Sequence, residues 1–116
     1  MSAPAPRSPL PPGPLGIRFG QVWESPDEAI GSLRYLVVSS DAYNTAFGDR
    51  RVIAVEVDSH AVYQGVYREP ITDAGTAHLD RLTWVTRHQL TELVAELHPD
   101  RHAHVSSIIR ELIGNT

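Results

Sequence analysis

A chain of 116 residues offers one domain's worth of sequence, and its 14 acidic against 10 basic residues give a net charge of −4. Every base is arginine, there is no lysine, and the absence of cysteine excludes a disulfide framework and thiolate metal sites. The acidic total argues against sequence-blind coating of DNA but leaves room for a small arginine cluster acting on one phosphate; a lysine-free chain also arises simply from genomic base composition.

Pro4, Pro6, Pro9, Pro11, Pro12 and Pro14 crowd the start, so residues 1–16 read as an extended or disordered proline-rich segment and the folded domain as 17–116. Residues 1–16 lack the apolar stretch of a signal peptide, and no run has the length of a membrane span. These features predict a cytoplasmic protein without a membrane partner.

Ile17 to Trp23 is the first predicted strand, broken by a loop at Ser25-Pro26-Asp27-Glu28. Leu33 to Ser39 follows as a buried strand, with Leu36, Val37 and Val38 at its centre and Arg34 at its mouth. Asp41 to Asn44 reads as a turn or short helical turn, and Arg51 to Val57 as a strand of branched apolar residues. Val62-Tyr63 and Val66-Tyr67, around Gln64-Gly65, predict two short strand pieces, with Pro70 marking an edge. Ala77 to Val85 is the next strand, in which Trp84, like Trp23 earlier, is expected in the core.

Thr86 with Gln89 makes a capping-box pattern, and Leu90, Leu93, Val94 and Leu97 recur at helical spacing, predicting a helix. A second helix is expected after Pro99-Asp100, with Val105, Ile108, Ile109, Leu112 and Ile113 on its apolar face and Gly114 closing it. Strands first and helices late predict a mainly β protein with α, an α+β fold in which a small barrel or sheet carries helical packing at its end.

The order of these segments, GQVW, an arginine opening a hydrophobic strand that ends in SSDAYN, then RVIAVEV and a closing RELIG, resembles the MazF/PemK family of toxin endoribonucleases from about Phe19 to Gly114. The resemblance implies an SH3-like barrel with a C-terminal helix packed on it, and a homodimer. It further implies metal-independent cleavage of single-stranded RNA, no cofactor, and neutralisation by a cognate antitoxin peptide. Toxins of the same fold that poison a gyrase carry a C-terminal aromatic motif, which the ending ELIGNT lacks.

Such cleavage requires deprotonating a 2′-hydroxyl, stabilising charge on an in-line phosphorane and protonating the leaving 5′-oxygen. Arg34 matches the family arginine whose fork would hold the phosphate; without the resemblance it reads as a strand-edge arginine paired with Asp27 or Glu28. Tyr35 stands where the family usually has proline, and the loop Glu24 to Leu33 is shorter than is common. The family's threonine or serine after the third strand falls at Asp58 or Ser59. Only one of these two can point into the site, because a one-residue slip reverses the face, and a carboxylate in place of a hydroxyl points to the alternative of a catalytically weak or inactive barrel that binds RNA or antitoxin without cleaving.

His78-Leu79-Asp80 lies where some family members place a catalytic arginine and aspartate, so Asp80 matches and His78 replaces the arginine; alternation puts both on one strand face, where histidine is suited to proton transfer. His60 adjoins the candidate site. Tyr35 and Tyr43, with Tyr63 and Tyr67, are candidate surfaces for stacking RNA bases. His98, His102 and His104 read as a solvated helix start and not as metal ligands.

Overall fold

In a computed structural model, which describes residues 16–60 and 64–114, six antiparallel strands form one curled sheet in the order β4-β5-β3-β2-β1-β6. The strands are β1 (Gln21–Asp27), β2 (Gly31–Val37), β3 (Arg51–Asp58), β4 (Arg68–Ile71), β5 (Gly75–Thr86) and β6 (Glu92–Glu96). A short helix, α1 (Asp41–Phe47), joins β2 to β3, and α2 (His102–Leu112) closes the chain. The α+β half-barrel with its C-terminal helix is the architecture expected. The proline-rich start and the strand piece expected at Val62-Tyr63 lie outside the described residues.

Alternation along the central strands serves two cores. Val22, Leu36, Val55 and Leu79 face α2, whose Val105, Ile108 and Ile109 are buried against them. Trp23, Val37, Val52, Ala54 and Val85 project from the opposite face and are covered by Ile17 and Leu90. The central strands are therefore apolar on both faces, which is why they read as continuous hydrophobic runs.

Four expectations change. Val66-Tyr67, expected as a strand piece, is a turn ahead of β4. The loop expected at Ser25-Pro26-Asp27-Glu28 is mostly strand: Ser25 pairs with Leu33, Pro26 with Ser32 and Asp27 with Gly31, and the reversal is made by residues 28–30. Pro26 is tolerated because β6 pairs only with Gln21–Glu24, so no neighbour on that side needs its missing N–H. Asp27 Oδ1 then accepts from the amides of Ala29 and Ile30, tying the turn.

The helix expected over Leu90–Leu97 is instead a one-turn 3₁₀ helix (Arg87–Gln89) followed by β6. Leu90 and Leu93 belong to one core while Val94 and Leu97 belong to the other, so a strand segment packed on both sides imitates a helical period. The Thr86–Gln89 pattern is real, with Gln89 Oε1 accepting from the Thr86 amide and hydroxyl, but it closes only that single turn. Trp84, expected in the core, is 68% exposed, whereas Trp23 is buried.

Helix α2 is anchored at its start. Arg101 donates from Nε and Nη2 to the buried Glu69 carboxylate at 2.8 and 2.9 Å, joining the helix to edge strand β4. His102 packs edge-on against Phe19, and Gly20, at φ +91°, lies so close that a Cβ would meet the imidazole.

These environments predict unequal costs for two large-to-small changes. Leu36→Ala, in the core beneath α2, should lower stability by about 2–5 kcal/mol, whereas Trp84→Ala should cost no more than about 1 kcal/mol. Urea unfolding of both variants checks the ordering.

Candidate active site

The site grows from the β1–β2 register. Arg34 shares a face of β2 with the core residue Leu36, and it stands opposite Glu24 on one side and Val57 on the other. A cation at the end of a core face needs partners, and it has two. Its Nη1 donates to the Ala74 carbonyl at 2.8 Å, while Nε and Nη2 each lie 3.4 Å from Glu24 Oε2. The partner carboxylate is thus Glu24, not Asp27 or Glu28. A guanidinium carries five N–H donors, so these contacts leave two for a ligand.

The Ala74 carbonyl is delivered by the tight β4–β5 turn, in which the Ala74 amide donates to Ile71 and Asp73 adopts φ 68°. Gly75 follows at φ +129°, where a Cβ would run into the Asp58 carbonyl. Only glycine lets this turn lie against the end of β3, so the close approach that positions Arg34 depends on it.

Strand β5 supplies the next component through an irregularity in its pairing. Val57 pairs with Ala77 but Val55 pairs with Leu82, so His78–Arg81 bow out of the β3 register, just where β4 ends its own pairing with Arg68 opposite His78. A bulge of this kind re-aims side chains. Here it leaves His78 buried and brings Arg81 to a cleft of about 230 Å³ that also receives Arg34, Asp58, Ser59 and His60. Ile30, Ser32 and Leu33 from the β1–β2 hairpin wall its other side, and Glu56 pairs with Arg81 at 3.4 Å.

Five expected site residues, Arg34, Asp58, Ser59, His60 and His78, therefore line one cleft. Asp58 and Ser59 both reach it, but their settings differ: Asp58 Oδ1 accepts from the His60 amide at 2.8 Å and organises the turn, while Ser59 is exposed. Asp80 does not line the cleft, being held by Arg68 at 2.7 Å. Tyr35 and Tyr43 do not line it either. Tyr35 packs beside the Trp23 core, and the Tyr43 hydroxyl accepts from Arg51 Nε at 3.2 Å. Glu24, Glu56, Arg68 and Arg81 escaped sequence reading, since their proximity comes from strand register across the sheet and not from local spacing.

The electrostatics favour a neutral imidazole in this cleft. Burial pushes the His78 pKa below its ordinary value, and the charges of Arg81 and Arg68 push it further, against a smaller opposing pull from Asp58 and Asp80. Burial works to raise the Asp80 carboxyl, but the hydrogen bond and charge of Arg68, with Arg81, bring it below the usual carboxylate range. Burial, then Glu56 and Asp27, raises the Tyr35 hydroxyl, which keeps it protonated. Among the described residues, no three His, Cys, Asp or Glu side chains converge where a metal ion would sit.

No family model matches the chain, and no curated protein matches it in sequence. Solved structures do. An endoribonuclease in complex with its cognate antitoxin, from a mycobacterial species, superimposes with a TM-score of 0.70 at 19% identity, covering 86% of this chain and 97% of that one. The MazE–MazF complex of Deinococcus radiodurans gives 0.62 at 23% identity, covering 85% and 96%.

The chain has the MazF fold. The Mycobacterium tuberculosis toxin MazF-mt6 matches with a TM-score of 0.62 at only 8% identity, covering 80% of this chain and 95% of that one. The MazF topology is thus kept while most side chains differ, and the cleft at the ends of β2 and β3 must be argued from its own residues. No helix among the described residues is long and apolar enough to cross a membrane.

The depressed His78 pKa has a stability consequence with a definite sign. Neutral His78 contributes fully above its unfolded-state value of about 6.5, and the contribution is lost as pH falls through the lower folded-state value, because the unfolded chain then binds the extra proton. Melting temperature should therefore drop on acidification below about pH 6.5, and His78→Gln should flatten that part of the profile. Thermal melts across pH 5–8 (about the histidine range) test this.

Proposed function

We propose that this protein is the toxin of a toxin–antitoxin pair, a metal-independent endoribonuclease that cuts single-stranded RNA and leaves 2′,3′-cyclic phosphate and 5′-hydroxyl ends. In this reading the domain runs from residue 17 to 116 behind the proline-rich start, acts as a homodimer in the cytoplasm, and is silenced by a cognate antitoxin peptide. The observation that carries it is the opening of Arg34 and a buried, neutral-biased His78 onto one cleft, in a fold shared with solved endoribonuclease toxins.

The chemistry follows from what each group offers. The two unengaged donors of Arg34 hold the non-bridging oxygens of the scissile phosphate and strengthen as charge accumulates there. His78 accepts the 2′-hydroxyl proton as the 2′-oxygen forms its bond to phosphorus. The bond from phosphorus to the 5′-oxygen then breaks, and that oxygen takes a proton from His60 at the exposed rim. Ser59 offers a hydroxyl to the phosphate, and Asp58 keeps the turn that presents both. Asp80, through Arg68, acts on His78 electrostatically and not on the substrate.

A second reading has its own observation. The carboxylates of Glu24, Glu56 and Asp58 stand close to where a phosphate would enter, and they repel it. A barrel that binds RNA or antitoxin without cutting is consistent with that charge.

Incubation with total RNA in excess chelator, with mapping of new 5′-hydroxyl ends, separates the two. New ends are expected, and Arg34→Ala should reduce their rate of appearance by roughly a hundredfold to a thousandfold. RNA that is bound yet left intact supports the second reading, and ends that persist undiminished in Arg34→Ala remove the role assigned to that residue.

A further inference from the structure

One cation–aromatic cluster is left unused by the cleft. Arg51, on β3, places its guanidinium 5.0 Å from the Trp84 ring centroid and 5.1 Å from that of Phe47, so it is in contact with two rings at once. Its Nε donates to the Tyr43 hydroxyl, and its side chain makes no other hydrogen bond among the described residues. Trp84, 68% exposed, is the most exposed large apolar side chain among the described residues. Beneath it lies a mostly apolar groove of about 330 Å³, lined by Val38, Ile53, Leu82, Trp84, Ile109 and Ile113.

We propose that this groove is a second nucleotide site for single-stranded RNA, in which a base stacks against the Trp84 indole and the adjoining phosphate is held by Arg51. The assignment of ligand rests on the RNA reading above. Its independent support is chemical and geometric. A ligand that uses an exposed indole together with the Nη donors of the guanidinium beside it is one with a π-face joined to an anion, and this is what a nucleotide is.

The test is fluorescence anisotropy with the full chain and a 2′-O-methylated single-stranded oligonucleotide, which binds but cannot be cut. Trp84→Ala should weaken binding by roughly fivefold to a hundredfold, and Trp84→Phe should restore most of it. Arg51→Gln should also weaken binding and reduce its salt dependence. Undiminished affinity in Trp84→Ala, or no binding by the unaltered protein, overturns the proposal. So does a change in oligomeric state of Trp84→Ala in sedimentation, which would assign the groove to a second copy of the chain. Because the probe cannot be cleaved, failure here is separate from failure of the endoribonuclease reading: binding through Trp84 by a protein that cuts no RNA supports the second site while contradicting the first proposal.

Discussion

The tether on Arg34 is the constraint from which the cleft follows. A guanidinium at the end of a core face is costly to leave unpaired, and the chain satisfies it from two directions, with Glu24 from the adjacent strand and the Ala74 carbonyl from a turn forty residues away in sequence. The second contact exists only because Gly75 lets the β4–β5 turn lie against the end of β3. Register on one side and a close backbone approach on the other therefore hold the cation. The Glu24 contacts at 3.4 Å are long for a charge-assisted pair, while the Ala74 bond at 2.8 Å is short. In the proposed reading an incoming phosphate would displace the weaker partner while the stronger one keeps the guanidinium oriented.

Strand β5 distributes the remaining function. At its start β5 pairs with β4 on one side and β3 on the other, and after the irregularity it pairs with β3 alone. At the bend, His78 turns inward among the charges of Arg68, Arg81, Asp58 and Asp80, and Arg81 reaches the cleft. One residue later, Leu82 faces the apolar groove under Trp84. The same strand therefore contributes Arg81 to the polar cleft and, from its other face, Leu82 to the apolar groove.

Much of this was legible in the sequence. The central strands announced themselves as branched apolar runs, and the α2 face by its helical period. Arg34, Asp58, Ser59 and His78 follow from an ordered resemblance and His60 from its place beside them, and all five line the cleft. What escaped was information held in pairing. Leu90, Leu93, Val94 and Leu97 have helical spacing because they serve two cores from one short strand and its ends, and nothing local distinguishes that from a helix. Trp84 reads as core by residue type, but α2 ends at Leu112 and leaves the indole exposed beside Ile109 and Ile113. Asp80 was paired with His78 by alternation, yet the cross-strand Arg68 claims its carboxylate.

The central claim is that a phosphate of single-stranded RNA occupies the cleft between Arg34 and His78. A crystal structure of the protein with an oligonucleotide carrying a 2′-deoxy residue at the cleavage position tests it most directly, since the attacking hydroxyl is absent and the complex persists. The account predicts a phosphate on the Arg34 guanidinium, with the adjoining ribose 2′ position turned toward the His78 imidazole. A phosphate bound elsewhere, with Arg34 still closed on Glu24 and the cleft empty, would contradict it.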